Sequence, residues 1–337
     1  MSELREDPVS GDWIILAPGR AKRPEELLKR RQPRTQSPRA SCPFENLQKS
    51  GNWPPIALYP SSDKWKVAII QNKYPALAHS KKHAVDTSSG IYHAKAGVGS
   101  HEIVITRDHR KNFAELTPRA AKELFMIIQA RHRAIAKDGC GTYITTFFNW
   151  GREAGASLAH PHYQILALPI VPPHAVHSIS GAMRYFKKHR RCVRCAVIAA
   201  ERKKKERVVA ENKNAIAIAP YASKRPFEVS IFPKAHAPYF TKTSREVVSD
   251  VAALLQSVMQ RMKKHLHDPD LNFFIHDAPA DGRAYPYHHW HVEVIPTNVI
   301  SPPGGFEVST IININVIDPA IAAAVLRGGK SAGKRTT

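Results

Sequence analysis

The chain has 337 residues, of which 43% are hydrophobic, so it can bury a sizeable core in one large domain or two smaller ones. No apolar run is long enough to span a bilayer, and the start lacks both the basic and the apolar segment of a signal peptide, so a cytoplasmic protein with no membrane anchor is expected. An excess of 50 Lys and Arg over 28 Asp and Glu gives a formal net charge of +22, which favours polyanionic partners without choosing between nucleic acid and nucleotides.

In chain order, the first half predicts short strands separated by long loops. Pro, Ser and basic residues predict a mobile loop over residues 27–41, and the lack of periodicity predicts another loop over residues 79–99. Runs of apolar and β-branched residues predict strands. A short strand followed by a turn is expected within residues 12–24. Further strands are expected over residues 65–70, 101–106 and 143–148.

Two long helices are predicted, one in each half of the chain. Thr117 and Pro118 supply a capping oxygen and a first-turn proline, and apolar residues follow them at helical spacing. The same spacing recurs over residues 244–265. One face of each helix should therefore pack on a sheet. These faces comprise Leu124, Ile127, Ile128, Arg131 and Ile135 in the first helix, and Val248, Val251, Leu255, Val258 and Met262 in the second.

The order of elements in the first half recurs in the second. In the first half, 51 residues separate His109, at the end of a predicted strand, from His160. In the second half, 53 residues separate His236 from His289, and each interval contains one long helix, one strand and then a His-x-His segment. This agreement predicts an internal duplication. Each copy has the order strand, helix, strand, strand, which predicts an α+β fold of mainly antiparallel sheet with packed helices.

The duplication predicts two repeats and a tail. The N-terminal repeat, over residues 1–180, should carry the active site, and the C-terminal repeat should span residues 181–328. A late turn and strand between Gly304 and Asn315 and a helix over residues 319–327 are predicted to close the fold. Residues 329–337, rich in Gly, Lys and Arg, are predicted to form a disordered basic tail.

Residues 149–164 have the clearest chemical character. Glycines in this segment let backbone amides approach an anion closely, and successive amides form an anion-binding concavity. Pro161 favours extended geometry at His160, so His160, His162 and Gln164 are expected on one face. Three nitrogen-bearing side chains beside an amide-rich loop indicate chemistry on phosphate, although a polar loop with incidental histidines is the simpler alternative.

The histidines of this segment are expected to differ in role. A neutral imidazole attacks phosphorus when one nitrogen is free and a backbone acceptor holds the other. His160 is expected to anchor the strand, so that His162 presents one fixed nitrogen. Gln164, Ser157 and the amides from Gly155 onward can bind phosphoryl oxygens. Attack on the α-phosphorus of a nucleoside diphosphate compound would leave a nucleotidyl group on His162 for a second phosphate to accept, which predicts a reversible ping-pong transferase.

The four cysteines are too few and too unevenly placed for a disulfide framework. A Cys-x-x-Cys pair supplies two zinc ligands in one tight turn, and the second half contains such a pair. The predicted zinc ligands of the second half are Cys192, Cys195, His236 and His289. Those of the first half are Cys42, Glu45, His109 and His160, in which a harder carboxylate replaces one thiolate. In the alternative interpretation, all of these residues are ordinary buried or strand-end side chains.

The segment from Gly155 to Gln164 contains His160-Pro-His162-Tyr-Gln164 and resembles the His-Pro-His-x-Gln signature of the galactose-1-phosphate uridylyltransferase family, the transferase branch of the histidine-triad superfamily. The resemblance extends over nearly the whole chain. It implies two histidine-triad repeats in one α+β unit, a homodimer, and ping-pong transfer of UMP from UDP-glucose to galactose 1-phosphate through a covalent nucleotidyl-histidine. The implied partners are a nucleotide sugar and a sugar phosphate, without nucleic acid or membrane.

The resemblance also implies roles for individual residues. His162 would be the uridylylated nucleophile, with Gln164 and Ser157 on phosphoryl oxygens. His160 would bind zinc together with His109 and Cys42. Further substrate contacts are implied for Arg20 and Arg23, which match an early Arg-x-x-Arg, for Asn72 and Asn149 on the nucleotide side, and for Phe306 and Glu307, which would contact the hexose from a partner subunit.

This chain departs from the family pattern at several positions. Glu45 stands where most zinc-bearing members have a second cysteine, and the pair Cys192 and Cys195 differs from the iron site of the enterobacterial-type enzymes. The residues after Glu307 lack the glycines that are common in relatives, which bears on hexose specificity. The run from Ala167 to Pro173 is also similar to plant-type ADP-glucose phosphorylases, so AMP transfer to inorganic phosphate is an alternative activity.

Two further alternatives belong to other classes of protein. A histidine-triad hydrolase is disfavoured because Gln164 stands where such hydrolases usually carry a third histidine. A nucleic-acid-binding protein would account for the net charge of +22 but gives no reason for residues 149–164.

Overall fold

The structure is a computed structural model that describes residues 2–20, 37–79, 86–139, 141–297 and 304–329. Arg23 and Cys140, most of the loop predicted over residues 27–41 and the predicted tail from residue 330 onward lie outside the described residues. None of the described helices combines the length and the apolar character needed to cross a membrane.

The strands within the described residues form one large sheet and two small ones. In chain order they are β1 (Glu3–Glu6), β2 (Trp13–Leu16), β3 (Ala57–Tyr59), β4 (Val67–Gln71), β5 (Asp86–Ser89), β6 (Tyr92–Lys95), β7 (Ser100–Thr106), β8 (Tyr143–Trp150), β9 (His162–Leu168), β10 (Val208–Glu211), β11 (Ala215–Ile218), β12 (Val229–Pro233), β13 (Leu271–His276), β14 (His291–Pro296) and β15 (Asn313–Asn315). The large sheet has ten strands in the order β10-β11-β12-β14-β13-β8-β9-β7-β4-β3. All of its neighbouring pairs are antiparallel.

The described α-helices are α1 (Pro118–Asp138), α2 (Pro173–His189), α3 (Val193–Lys204), α4 (Arg245–His265), α5 (Gly305–Thr310) and α6 (Pro319–Leu326). Both long helices begin where their capping residues predict. The Thr117 hydroxyl accepts a hydrogen bond from the Ala120 amide at 3.2 Å, and the Ser244 hydroxyl accepts one from the Val247 amide at 3.4 Å.

Helices α1 and α4 pack together against one face of the large sheet. Their apolar stripes are buried with the residues of the strands that point towards them, including Tyr163 and Ile165 of β9. Because successive strand residues point to opposite faces, His162 and Gln164 lie on the face away from α1 and α4. The hydrophobic core therefore fixes which face of the sheet carries the predicted reactive side chains.

The topology is that of a duplicated unit. One copy is β7-α1-β8-β9 and the other is β12-α4-β13-β14, and β8 pairs with β13 where the two copies meet in the sheet. The predicted α+β fold of mainly antiparallel sheet is confirmed. The predicted boundary between residues 180 and 181 falls inside helix α2, and the division into two repeats stays a prediction.

Three elements differ from the sequence-based expectation. Strands β5 and β6 form a hairpin within the loop predicted over residues 79–99. The described side chains of β6 are all exposed, so the pattern contains no buried alternation to signal a strand. Helix α2 was not anticipated, because three prolines precede it or open it and small residues such as Ala175 and Ala182 form its buried side. Helix α5 forms where only a turn was expected, before the short strand β15.

Candidate active site and metal-binding groups

Among the described residues, two groups of Cys and His side chains place their ligand atoms within 4.8 Å of one another. One group is Cys42, His109 and His160, and the other is Cys192, Cys195, His236 and His289. The Cys42 Sγ lies 3.5 Å from the His160 Nδ1, and the Cys195 Sγ lies 3.4 Å from the Nδ1 atoms of His236 and His289. Bond lengths of a tetrahedral zinc site place neighbouring S and N ligands about 3.5 Å apart. Both donor sets therefore have the spacing that zinc requires.

Glu45 supplies a fourth donor to the first group. Its Oε1 atom lies 2.9 Å from the His109 Nδ1 and 3.8 Å from the His160 Nδ1. The structure thus brings together all four ligands predicted for the first site. Burial raises the pKa of the Cys42 thiol, so binding of a metal by the thiolate would release a proton.

Backbone carbonyls fix the histidine tautomers in both groups. The Nε2 atoms of His109, His160 and His289 lie 2.9, 2.8 and 3.0 Å from the carbonyl oxygens of Ser37, Thr106 and Pro233. A carbonyl oxygen only accepts, so each Nε2 carries the proton and donates it. The unprotonated Nδ1 atoms of His160 and His289 then face cysteine sulfurs, and that of His109 faces the Glu45 carboxylate, which is the arrangement of histidines that bind a metal.

The two cysteines of the second group share a proton. Cys195 donates a hydrogen bond to Cys192, which lowers the pKa of Cys192 and raises that of Cys195. One thiolate and one thiol next to two imidazoles form a donor set suited to a soft or borderline cation.

His162 presents one free ring nitrogen. Its Nδ1 donates to the His160 carbonyl oxygen at 2.9 Å, so the proton resides on Nδ1 and the lone pair on Nε2 is available. The residue is 6% exposed, and burial lowers its pKa, which keeps the imidazole neutral. The Phe44 ring lies 5.5 Å from the rings of both His160 and His162 and holds them in place. Phe44 was not singled out in the sequence, although it stands between two predicted ligands.

His101 is a second residue of the candidate site that the sequence analysis missed. Its Nδ1 accepts a hydrogen bond from the Ala76 amide at 3.1 Å, so its Nε2 must be protonated and donates to the Gln164 Oε1 at 2.8 Å. With its oxygen held in this way, Gln164 turns its amide nitrogen away from His101, where it can donate to a phosphoryl oxygen. The side-chain nitrogen of Asn72 lies 3.0 Å from the same His101 Nε2, so the structure brings Asn72 and Gln164 together.

Replacing His101 should therefore impair catalysis through Gln164. We expect His101→Phe to lower kcat by about 10- to 100-fold with a smaller change in KM, because a misplaced Gln164 no longer meets the phosphoryl oxygen in the transition state. His101→Gln, which retains a side-chain donor, should recover part of the loss. Steady-state kinetics together with thermal unfolding of both variants test this expectation. Equal kcat values for His101→Phe and the unmodified protein would contradict it.

The loop after β8 is held by asparagines. The Asn272 side chain donates to the Asn149 Oδ1 and to the Ala154 carbonyl oxygen, both at 2.8 Å. The amides of Gly155 and Ala156 donate to carbonyls within the same loop, at 2.9 and 3.1 Å. Asn149 thus lies beside the loop, and these two amides are engaged internally instead of facing a ligand. Ser157, which is exposed, follows them.

Gly151 is required by this loop. It has φ +89°, and a Cβ atom built on it would lie 1.9 Å from the Asp270 carboxylate, whose Oδ2 accepts a hydrogen bond from the Glu153 amide. We expect Gly151→Ala to lower the free energy of unfolding by about 4 kcal/mol or more and to displace the loop. Gly155→Ala is the matched control, because Gly155 has φ +83° but only Asn149 near its Cβ position, at 3.6 Å. Its cost should be near 1 kcal/mol. Equal losses in chemical denaturation would show that the Asp270 contact is unimportant.

Three further predicted substrate residues, Arg20, Phe306 and Glu307, lie within the described residues. Arg20 ends a short 3₁₀ helix, Pro18–Arg20, that follows β2. Phe306, which is 42% exposed, and Glu307 lie on α5, where the Glu307 carboxylate accepts a hydrogen bond from the Gly304 amide at 3.0 Å. Within the described part of the chain, no hydrogen bond, ion pair or ring contact joins these three residues to His162.

The second copy keeps the histidine geometry but changes its surroundings. The His291 Nδ1 donates to the His289 carbonyl oxygen at 3.1 Å, as His162 does to His160. Glu293 stands where the first copy has Gln164, and its carboxylate lies 2.9 Å from the His276 Nε2. A carboxylate repels phosphoryl oxygens, whereas an amide can donate to them. The first copy is therefore the one equipped for phosphate chemistry.

Comparisons with known proteins agree with this geometry. The family described as "Domain of unknown function (DUF4921)" matches residues 61–327. ADP-glucose phosphorylase of Arabidopsis thaliana is 34% identical over 331 residues, which cover 96% of this chain and 92% of that protein. Galactose-1-phosphate uridylyltransferase of Thermotoga maritima is 26% identical over 335 residues, which cover 97% of this chain and 98% of that protein.

Solved structures extend the likeness to the whole fold. The crystal structure of the Arabidopsis thaliana ADP-glucose phosphorylase with bound ADP-glucose has a TM-score of 0.82 to this chain at 31% identity and covers 100% of both chains. A uridylyltransferase structure has a TM-score of 0.73 at 26% identity and covers 97% of this chain and 98% of that chain. The resemblance deduced from residues 155–164 is confirmed. The chain belongs to the DUF4921 family, within the nucleotidyltransferases and phosphorylases related to galactose-1-phosphate uridylyltransferase.

Proposed function

We propose that this protein is an ADP-glucose phosphorylase, which transfers AMP from ADP-glucose to inorganic phosphate through a covalent adenylyl group on His162. The observation that carries nucleotidyl transfer is the Nδ1 hydrogen bond from His162 to the His160 carbonyl, which leaves a neutral Nε2 next to Gln164. The adenine nucleotide is favoured by the relative named ADP-glucose phosphorylase at 34% identity, against 26% for the relative named galactose-1-phosphate uridylyltransferase. UMP transfer to galactose 1-phosphate is the second activity to test.

In the first half-reaction, the Nε2 lone pair of His162 attacks the α-phosphorus of ADP-glucose. An Nε2–P bond forms, the bridging P–O bond breaks, and glucose 1-phosphate leaves with the bond electrons. The ring becomes positively charged while Nδ1 keeps its proton. The hydrogen bond from Nδ1 to the His160 carbonyl stabilises this charge, because a carbonyl oxygen is the negative end of a dipole.

In the second half-reaction, an oxygen of inorganic phosphate attacks the same phosphorus. The Nε2–P bond breaks, ADP leaves, and His162 regains its neutral form with the proton still on Nδ1. Gln164, oriented by His101, would donate to a non-bridging oxygen in both steps without adding charge. The two half-reactions share one nucleophile and one oxygen-binding side chain, which is why the exchange is expected to be reversible.

We further propose that both Cys and His groups hold zinc. Cys42, Glu45, His109 and His160 would hold one ion, and that ion would fix His160 and, through its carbonyl, the ring of His162. The second ion would be held by Cys192, Cys195, His236 and His289 and would join α3 to the sheet. The support for both is the ligand spacing and the tautomers fixed by backbone carbonyls.

A contribution from a partner subunit is also proposed. Phe306 and Glu307 lie on a short exposed helix, and Ile311 directly after it is 83% exposed. Large exposed apolar side chains at one place favour burial against another molecule. In a homodimer, this helix would reach the sugar phosphate at the partner's His162 site.

The proposed activity is tested by offering each donor with each acceptor. ADP-glucose with inorganic phosphate should yield glucose 1-phosphate and ADP at a higher kcat/KM than UDP-glucose with galactose 1-phosphate yields UDP-galactose. Omission of the acceptor should stop turnover after one equivalent. Faster uridylyl transfer would assign the second activity, and steady product release without any acceptor would indicate a hydrolase instead.

A further inference from the structure

A cavity of about 520 Å³ lies on the second copy, away from His162. Strands β12 and β14 form its floor, helices α2 and α3 form its wall, and residues 6–10 close one side. It occupies the same face of the sheet as His162 and Gln164, but over the copy in which Glu293 replaces the glutamine. Its volume is within the range of small-molecule binding sites, which is roughly 300 to 1,000 Å³.

Two buried side chains of α3 line this cavity, and each has a buried polar atom without a hydrogen-bond partner among the described residues. Arg194 is 7% exposed and donates through Nη2 to the Ser178 hydroxyl at 2.8 Å, while its Nη1 has no partner within the described residues. Glu201 is 4% exposed and accepts from Arg207 at 2.9 Å, while its Oε2 has no partner there. Each such buried atom costs about 1–3 kcal/mol, so a ligand that satisfies both would be favoured.

The positions of these atoms limit the size of that ligand. Arg194 and Glu201 are seven residues apart on one helix, which places them on the same face roughly 10 Å apart along the axis. A monosaccharide spans such a separation with one hydrogen bond at each end. Val197, Ala200 and Phe232 add an apolar wall on which the C–H face of a sugar ring can pack.

The carboxylates of the cavity disfavour a phosphate. Lys224 is paired with Asp12 at 3.1 Å, and Arg207 is paired with Glu201 at 2.8 Å. Glu293 lies where a phosphoryl oxygen would be bound in the first copy, and its carboxylate accepts hydroxyl protons but repels anions. Two lining cations have no ion pair within the described residues: Arg191, which is exposed and donates to the Tyr185 hydroxyl, and the buried Arg194, which faces carboxylates on the other walls.

We propose that this cavity binds a neutral monosaccharide, whose hydroxyl groups donate to Glu201 and Glu293 and accept from Arg194. The proposal rests on the cavity of the second copy and does not depend on the reaction at His162. The saccharide site would be separate from the nucleotidyl-transfer site that this chain shares with its relatives.

Ligand-observed NMR and calorimetry on the full-length protein test this site, with D-glucose, D-galactose and D-ribose as probes. Ala196→Trp would fill the cavity from α3, whereas Ala199→Trp lies on the same helix, is exposed and does not line the cavity, which makes it a matched control. We expect Ala196→Trp to abolish saccharide binding and Ala199→Trp to preserve it. Glu293→Gln should weaken binding by about tenfold, as expected when a hydrogen bond to a charged group is lost.

Gln164→Ala distinguishes binding in this cavity from binding at the His162 site. This variant should leave saccharide binding in the cavity intact. Four outcomes would overturn the proposal. They are the absence of binding by all three probes, unchanged binding in Ala196→Trp, tighter binding of inorganic phosphate or glucose 1-phosphate at the same cavity, and a crystal structure with saccharide in which the cavity contains ordered water only.

Discussion

His162→Ala is expected to abolish formation of the covalent nucleotidyl enzyme and to lower turnover by at least four orders of magnitude, roughly the loss seen when a covalent nucleophile is removed from other enzymes. The reason is that, among the described side chains, only His162 has a free imidazole nitrogen next to the Gln164 amide, on the same face of the sheet. Single-turnover mixing with radiolabelled ADP-glucose and measurement of acid-quenched, protein-bound label test the expectation.

The internal duplication supplies the control for this experiment. His291 makes the same hydrogen bond through Nδ1, to the His289 carbonyl, but stands beside Glu293. His291→Ala should therefore retain covalent labelling. Persistent labelling of His162→Ala, or loss of labelling in His291→Ala alone, would place the reactive histidine in the other copy.

Cys195→Ser is expected to remove one equivalent of zinc and to lower the free energy of unfolding by on the order of 4 kcal/mol, because the loss of a structural metal is among the largest single-site effects on stability. Cys195 lies 3.4 Å from both His236 and His289, so its sulfur joins α3 to two segments of the sheet. Elemental analysis of the purified variant and thermal unfolding measure the two effects.

Chelation provides the matched comparison. Removal of zinc from the unmodified protein should lower its stability at least as far as Cys195→Ser does, because chelation empties both groups, and zinc added back should restore full stability only to the unmodified protein. Cys42→Ser should also lose one equivalent of metal, but from the other group. Two equivalents of zinc in Cys195→Ser, with unchanged unfolding, would contradict the proposed second site.

The parts of the site that follow from local sequence rules were predictable. His162 and Gln164 share a face because alternate residues of a strand do, and Thr117 starts a helix because its hydroxyl caps the first turn. The duplication predicted that His109 corresponds to His236 and His160 to His289. In the structure, the two histidines of each copy lie together in one Cys and His group. These predictions needed only spacing and the chemistry of each side chain.

The features that depend on strand pairing were not predictable. His101 reaches Gln164 because β7 pairs with β9 in a register that puts Ile103 opposite Gln164, so the two side chains are diagonal neighbours. No local pattern specifies that register. The saccharide cavity depends on how α2 and α3 cover the second copy, which is a tertiary contact that the local sequence of either helix does not specify.

Adenylyl transfer through His162 is tested most directly by intact-protein mass spectrometry after the protein is mixed with ADP-glucose or UDP-glucose in the absence of an acceptor. We expect a mass gain of one adenylyl group per chain with ADP-glucose, located on His162 by peptide mapping and removed by inorganic phosphate. A label on any other residue, a stable uridylyl group in preference to an adenylyl group, or no covalent adduct with either donor would contradict it.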